Sequence, residues 1–315
     1  AQVVAVFEGS DTLEELATPL TYSVITTLLR YSSDSIDSLA VDFLKFDVLN
    51  RNVEDCTYMN ISVCEFIRDG ILDIQSGESV YSHAASSLPI CVVASQTSNA
   101  VFYETTHEES MRANALSIMS PNKFNISRTN FIENPGYTSS KNELQKFDCG
   151  AVLSPLGSKL RSTDNKQFDR FNKAALRSNK TEVFSTMHLL EQCTDKAVIS
   201  VSESTLFGSV EKSFRQYLID HKILSAVVSL PTGIWPGTSI KTSLLIVDPK
   251  GDNDTVRFLD LEKTNYVKKT DHRSLELFNF DKLKSYLDST VELECAIPVS
   301  LQAIRDNEYS LSSTG

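Results

Sequence analysis

The segment LSAVVSLPTGIWPGTSIKTSLLIV, Leu224 to Val247, joins two short apolar runs rich in β-branched residues through a turn containing Pro231, Gly233, Pro236 and Gly237. Runs of this length bounded by turn residues read as buried strands. Upstream, AVISVSESTLFG from Ala197 has the same texture and leads into a helix-like stretch ending FRQYLID. Further runs of this kind are Glu78–Tyr81, Ile90–Ala94, Ala100–Glu104, Cys149–Leu153 and Val256–Leu259. Helical patterns lie between the runs, near 107–119, 180–193, 209–221 and 273–287. Strands alternating with helices predict an α/β fold, a Rossmann-like, doubly wound, mostly parallel sheet covered on both faces. Ligands of such sheets bind beyond the carboxyl ends of the strands, so functional residues are expected just after these runs.

The first seventy-odd residues lack strands of this type. Leu13, Leu16, Leu20, Val24 and Leu28 recur at helical spacing across Pro19, followed by Ile36, Leu39, Phe43 and Leu44, and by Ile61, Cys64, Ile67 and Ile71. The resulting division is a helical region over 1–75, the α/β domain over 76–260 and a helical extension over 261–315.

The chain has 315 residues, 30 basic and 41 acidic, with a net charge of −11. Such an acidic protein does not coat nucleic acid indiscriminately. One island departs from this balance: residues 141–180 hold 9 basic and 4 acidic side chains, a difference of +5. Lys159, Arg161, Lys166, Arg170, Lys173, Arg177 and Lys180 belong to it and form the candidate contact surface for a phosphate backbone. No apolar run is long enough for a membrane helix, and the first residues do not read as a signal peptide. Cys56, Cys64, Cys91, Cys149, Cys193 and Cys295 form no C-x-x-C pair, which predicts reduced, mostly buried thiols in a cytoplasmic protein. His83, His107, His188, His221 and His272 are isolated, so no metal site is expected. His83 reads as a polar loop histidine at the surface, and Trp235 as packing its loop against the sheet.

The order of pieces over 197–259, above all Leu230-Pro231 followed by Trp235, Gly237, Thr238, Ser239 and Ile240, resembles the modification subunits of type I restriction systems. Ile304 to Leu311 resembles that family's closing motif, and the likeness extends over about 58–311. It implies the class I methyltransferase fold and an S-adenosylmethionine-dependent DNA N6-adenine methyltransferase. Three elements carry the family's chemistry: a Gly-rich turn after the first strand, an acid after the second that holds the cofactor ribose, and an Asn-Pro-Pro-aromatic motif after the fourth.

Here the first element is matched by Tyr81, Ser82, Ala85 and Ser86, without the acid or the glycines. Glu104 stands at the ribose-binding position. Ser154, Pro155 and Leu156 replace the amino-group motif. Tyr58-Met59-Asn60 stands where a further Thr-Pro element is expected, and Thr18-Pro19 lies too far upstream. Adenine N6 is a poor nucleophile, so losing the acceptors that orient it removes transition-state stabilisation.

The leading expectation is therefore a catalytically impaired relative serving as a binding or structural subunit. Its implied partners are DNA and restriction-modification specificity or restriction subunits, or an active methyltransferase. The alternatives are a working enzyme with divergent motifs and a non-catalytic DNA-binding module using the basic island.

Overall fold

The computed structural model describes residues 39–50, 58–141, 143–155, 157–160, 168–235, 239–270 and 275–312. The helix expected over 12–31, together with Cys56, Leu156, Arg161, Lys166, Gly237, Thr238 and His272, lies outside them. Eleven strands are described: β1 Ser79–His83, β2 Ala100–Thr105, β3 Asn125–Arg128, β4 Cys149–Val152, β5 Ala197–Ser202, β6 Leu224–Ser229, β7 Thr242–Val247, β8 Thr255–Asp260, β9 Val267–Lys269, β10 Leu275–Leu277 and β11 Ala296–Ser300. Nine of them form one sheet in the order β11-β8-β6-β7-β5-β4-β1-β2-β3, and β9 and β10 form a separate hairpin. β1, β2, β3, β4 and β5 run parallel, and β7 is inserted antiparallel between β5 and β6. This is the Rossmann-like, mostly parallel, doubly wound sheet of the class I methyltransferase fold. The order reverses at β1–β4, which marks the switch point where such sheets place ligands.

Ten α-helices accompany these strands in the described residues: α1 Leu39–Asn50, α2 Ile61–Phe66, α3 Leu88–Ala94, α4 His107–Met119, α5 Asp169–Asn172, α6 Thr181–Gln192, α7 Glu203–Phe207, α8 Lys212–Asp220, α9 Phe280–Asp288 and α10 Leu301–Asp306. Asn60 caps α2 by accepting from Ser62 N at 2.9 Å. The helix continues as a π-helical turn through Ile67–Leu72 and ends at Asp73, in the left-handed region.

Side chains alternate along each strand and so feed two cores. Val80, Tyr103 and Val198 belong to one, with α2 and α3. Tyr81, Val152 and Ile199 belong to the other, with α6 and α8. Trp235, 2 % exposed, packs in the first core.

Ile90–Ala94, expected as a strand, is the body of α3. Pro89 lies in the first turn of that helix, where its fixed φ suits the helix and its missing N–H costs nothing. The uninterrupted apolar run arises because every residue of α3 is buried, a pattern a buried strand shares. Polar β3 gave no such signal. Residues 261–312 supply α9 and α10 together with β9, β10 and β11, and β11 pairs with β8 at the edge of the main sheet. Among the described residues no helix is long and apolar enough to cross a membrane.

Candidate functional site

At the carboxyl end of β1 the chain turns sharply. The strand runs on to His83, which is fully buried rather than a surface loop residue. Its side chain belongs to the alternating pattern of β1 and leaves on the same face as Tyr81. Ala84 follows with φ 71° and ψ 143°, a region that a Cβ strongly disfavours and glycine adopts freely. A 3-10 turn over Ala85–Ser87 then leads into α3.

Serines fasten this turn to β4. Ser82 Oγ donates to Ala151 O at 2.7 Å, Ser86 Oγ donates to Leu153 O, and Ser87 Oγ accepts from Leu153 N at 2.8 Å. Ala85 is half-buried. The other side of the turn is tied to β2, because Tyr103 donates its phenolic hydrogen to Ala84 O at 3.0 Å. The Tyr103 ring is fully buried and meets Phe124 edge-on.

Glu104 leaves β2 on the opposite face from Tyr103 and is 1 % exposed. Its Oε2 accepts from Tyr81 OH at 3.0 Å, and its Oε1 accepts from Thr129 Oγ1 at 2.9 Å and Gly136 N at 3.2 Å. Tyr81 OH also lies 3.1 Å from His188 Nε2. A phenol has one hydrogen, so once it is given to Glu104, His188 must donate from Nε2 to the phenolic oxygen. The three donors favour ionised Glu104, yet burial outweighs them and raises its pKa. Burial also pushes His83 down to about 3 and His188 well below its usual value, so both rings are neutral.

Aromatic rings pack around these groups. His83 stacks on Phe131 at 4.0 Å, Tyr81 stacks on Phe147 at 5.2 Å, and Tyr137 meets Tyr81 edge-on. His83 Nε2 lies 2.9 Å from Ser185 Oγ of α6.

At the end of β4, Ser154 is 1 % exposed and its hydroxyl has no hydrogen-bond partner among the described residues. Pro155 beside it is half-buried. The described members of the basic island do not form one surface. Arg170 turns inward: its Nη2 donates to Phe131 O at 2.9 Å and to Ile132 O, and its guanidinium lies over Phe171 at 4.3 Å and Phe168 at 4.8 Å. Lys173 pairs with Glu191. Lys180 donates to Ser204 Oγ at 2.7 Å and Thr205 Oγ1 at 3.0 Å. Lys159 and Arg177 are exposed.

Tyr103, Thr129, Phe131, Gly136, Tyr137, Ser185 and His188 were not foreseen as site residues. Phe102-Tyr103 ahead of Glu104 was the available signal, because bulky rings at a strand end pack against neighbouring segments. Among the described residues, cavities lie elsewhere. One of about 180 Å³ is bounded by β8, β11 and α10, and one of about 400 Å³ by α1, α2 and the β10–α9 connection. Glu104 and Ser154 line neither. Among the described residues no group of three or more His, Cys, Asp or Glu could hold a metal ion.

The sheet order and the position of this crevice at the switch point define a class I methyltransferase scaffold. The N-6 DNA methylase family matches residues 58–314, and the chain belongs to that family. The type I restriction enzyme MpnII methylase subunit of Mycoplasma pneumoniae is 26 % identical over 132 residues, 41 % of this chain and 24 % of that protein. The matched part thus spans about a quarter of that curated relative.

Among solved structures, the type I restriction-modification methyltransferase subunit of Streptococcus thermophilus superposes with a TM-score of 0.77 at 19 % identity, over 98 % of this chain and 71 % of that one. A modification subunit of a putative type I restriction enzyme from Vibrio vulnificus gives 0.67 at 16 % identity, over 90 % and 68 %. At these identities the structures show a shared fold.

Proposed function

We propose that this chain is a relative of type I modification subunits that keeps the methyltransferase scaffold, has lost methyl transfer, and acts as a binding or structural subunit. The observation that carries this reading is that the groups at the ends of β1 and β2 are already engaged within the protein. S-Adenosylmethionine needs a turn that backbone and ligand can approach closely and a carboxylate free to accept from its ribose. Ala84 presents a Cβ at the turn, the Tyr103 hydroxyl is bonded to the Ala84 carbonyl, and both oxygens of Glu104 are engaged by protein donors. These three features argue against a fit of the cofactor at this crevice.

Ser154 Oγ gives a second reading its footing. A buried hydroxyl without a partner at the end of β4 is an acceptor that a target amino group could use, as in a working enzyme with divergent motifs. DNA and the other subunits of a restriction-modification system are the proposed partners, since the related proteins are methylase subunits of such systems. The buried free thiols of Cys64, Cys91, Cys149 and Cys193 support a reducing, cytoplasmic setting.

Calorimetric titration with S-adenosylmethionine and transfer of a labelled methyl group to duplex DNA test the first reading. No binding heat and no transfer are expected. Micromolar binding together with DNA methylation would overturn it and leave the working-enzyme reading, for which Ser154→Asn should maintain or raise the rate.

A further inference from the structure

The two lysines that survive at the rim of the basic island stand opposite one another. Lys159 and Lys180 form an isolated antiparallel bridge, flanked by the bonds Leu160 N to Asn179 O at 2.8 Å and Thr181 N to Ser158 O at 3.0 Å. Flanking bonds of this kind identify a non-hydrogen-bonded pair, whose Cα atoms are about 4.5 Å apart and whose side chains leave close together. Like charges directly opposite one another repel. Lys180 also occupies the N-cap of α6, where the helix dipole is itself positive and a cation is out of place.

Compensation falls on Lys180 alone. Its side chain is 15 % exposed, and its Nζ faces Glu211 Oε1 at 3.7 Å, Ser204 Oγ at 2.7 Å and Thr205 Oγ1 at 3.0 Å. Glu182, in the first turn of α6, is buried and accepts from Ser202 N and Ser202 Oγ. Lys159 is exposed and has no acidic partner among the described residues. Ser204, exposed at the start of α7, brings a hydroxyl to Lys180 Nζ. The group lies beyond the carboxyl ends of β4 and β5, on the segment that follows Ser154.

We infer that Lys159 and Ser204, backed by the charge of Lys180, form a seat for one backbone phosphate of duplex DNA, and that the inward-turned Arg170 and the Glu191-paired Lys173 take no part in it. An oxyanion on Lys159 offsets its repulsion from Lys180, and the Ser204 hydroxyl, which accepts from Lys180 Nζ, keeps its own hydrogen to donate to it. The inference rests on the reading that DNA is a partner of this chain.

The test measures binding of the full chain to a short fluorescein-labelled duplex of mixed sequence by anisotropy, over a series of salt concentrations. Lys159→Glu is compared with Lys250→Glu, which makes the same change in net charge. Lys250 is exposed and pairs with Asp195, just ahead of β5, at the opposite end of the sheet. The expected result is roughly tenfold weaker binding by Lys159→Glu at about 0.1 M salt and a log–log salt slope lower by about one, with Lys250→Glu near wild type. Equal effects of the two variants, or none from Lys159→Glu while the wild type binds, would overturn the seat alone. A wild-type chain that does not bind the duplex even at low salt overturns the DNA reading and the seat with it.

Discussion

Tyr81 OH and Glu104 Oε2 are 3.0 Å apart in the interior, joining the first two parallel strands at the place where this fold ordinarily admits a ligand. Tyr81→Phe removes the donor and leaves a buried carboxyl short of a partner. The cost of such a loss is about 1–3 kcal/mol, read as a lower urea midpoint with an unchanged slope. In a double-mutant cycle with Glu104→Gln the two changes should couple rather than add.

Acid should destabilise the fold through the buried histidines. The pKa of His83 is lowered to about 3 from 6.5 by burial, and that of His188 is lowered well below 6.5. Between these values the unfolded chain binds more protons than the folded one, so stability falls as pH drops from about 6.5 toward 3. Glu104 acts in the opposite sense. Its folded pKa is raised, so its contribution is present at low pH and is lost as pH rises through that value. Glu65 is raised likewise, but Asp148, Asp254, Glu262 and Glu308 are lowered and lose their contribution in acid as the histidines do. Chemical denaturation across pH should therefore show a net loss below pH 6.5. His83→Gln should flatten that acid limb.

Ala84 holds a backbone conformation that costs a residue with a Cβ about 1–3 kcal/mol. Glycine removes the strain and returns some of the gain as unfolded-chain entropy. Ala84→Gly is expected to raise stability by up to about 1 kcal/mol, seen as a higher Tm. The bulkier, β-branched Ala84→Val should lower it.

Arg170 serves the interior. Removing its guanidinium in Arg170→Ala leaves the Phe131 and Ile132 carbonyls without their donor and uncovers two aromatic rings. A loss of about 2 kcal/mol or more is expected, measured by thermal or denaturant unfolding. Lys159→Glu, at an exposed position, should leave the unfolding midpoint nearly unchanged.

The strand texture of Ala197–Ser202, Leu224–Ser229 and Thr242–Val247 and the helical spacing around Leu39–Leu44 and Ile61–Ile71 were legible from residue types alone. Periodicity and turn chemistry are local properties, and they suffice for a sheet wound on both sides. Local signals misjudged Ile90–Ala94, because burial on all sides erases the difference between helix and strand. They also passed over β3 and β11, short edge strands defined by their neighbours.

What no reading of the chain could supply is which way the side chains of Tyr103 and Glu104 leave their strand and what meets them there. That Tyr81, Thr129, Gly136 and His188, up to 107 positions apart, converge on or beside one carboxylate follows from packing distant segments together. It was also packing that turned Arg170 inward and set Lys159 against Lys180. Composition could count these charges, but their orientation depends on contacts between segments remote in sequence.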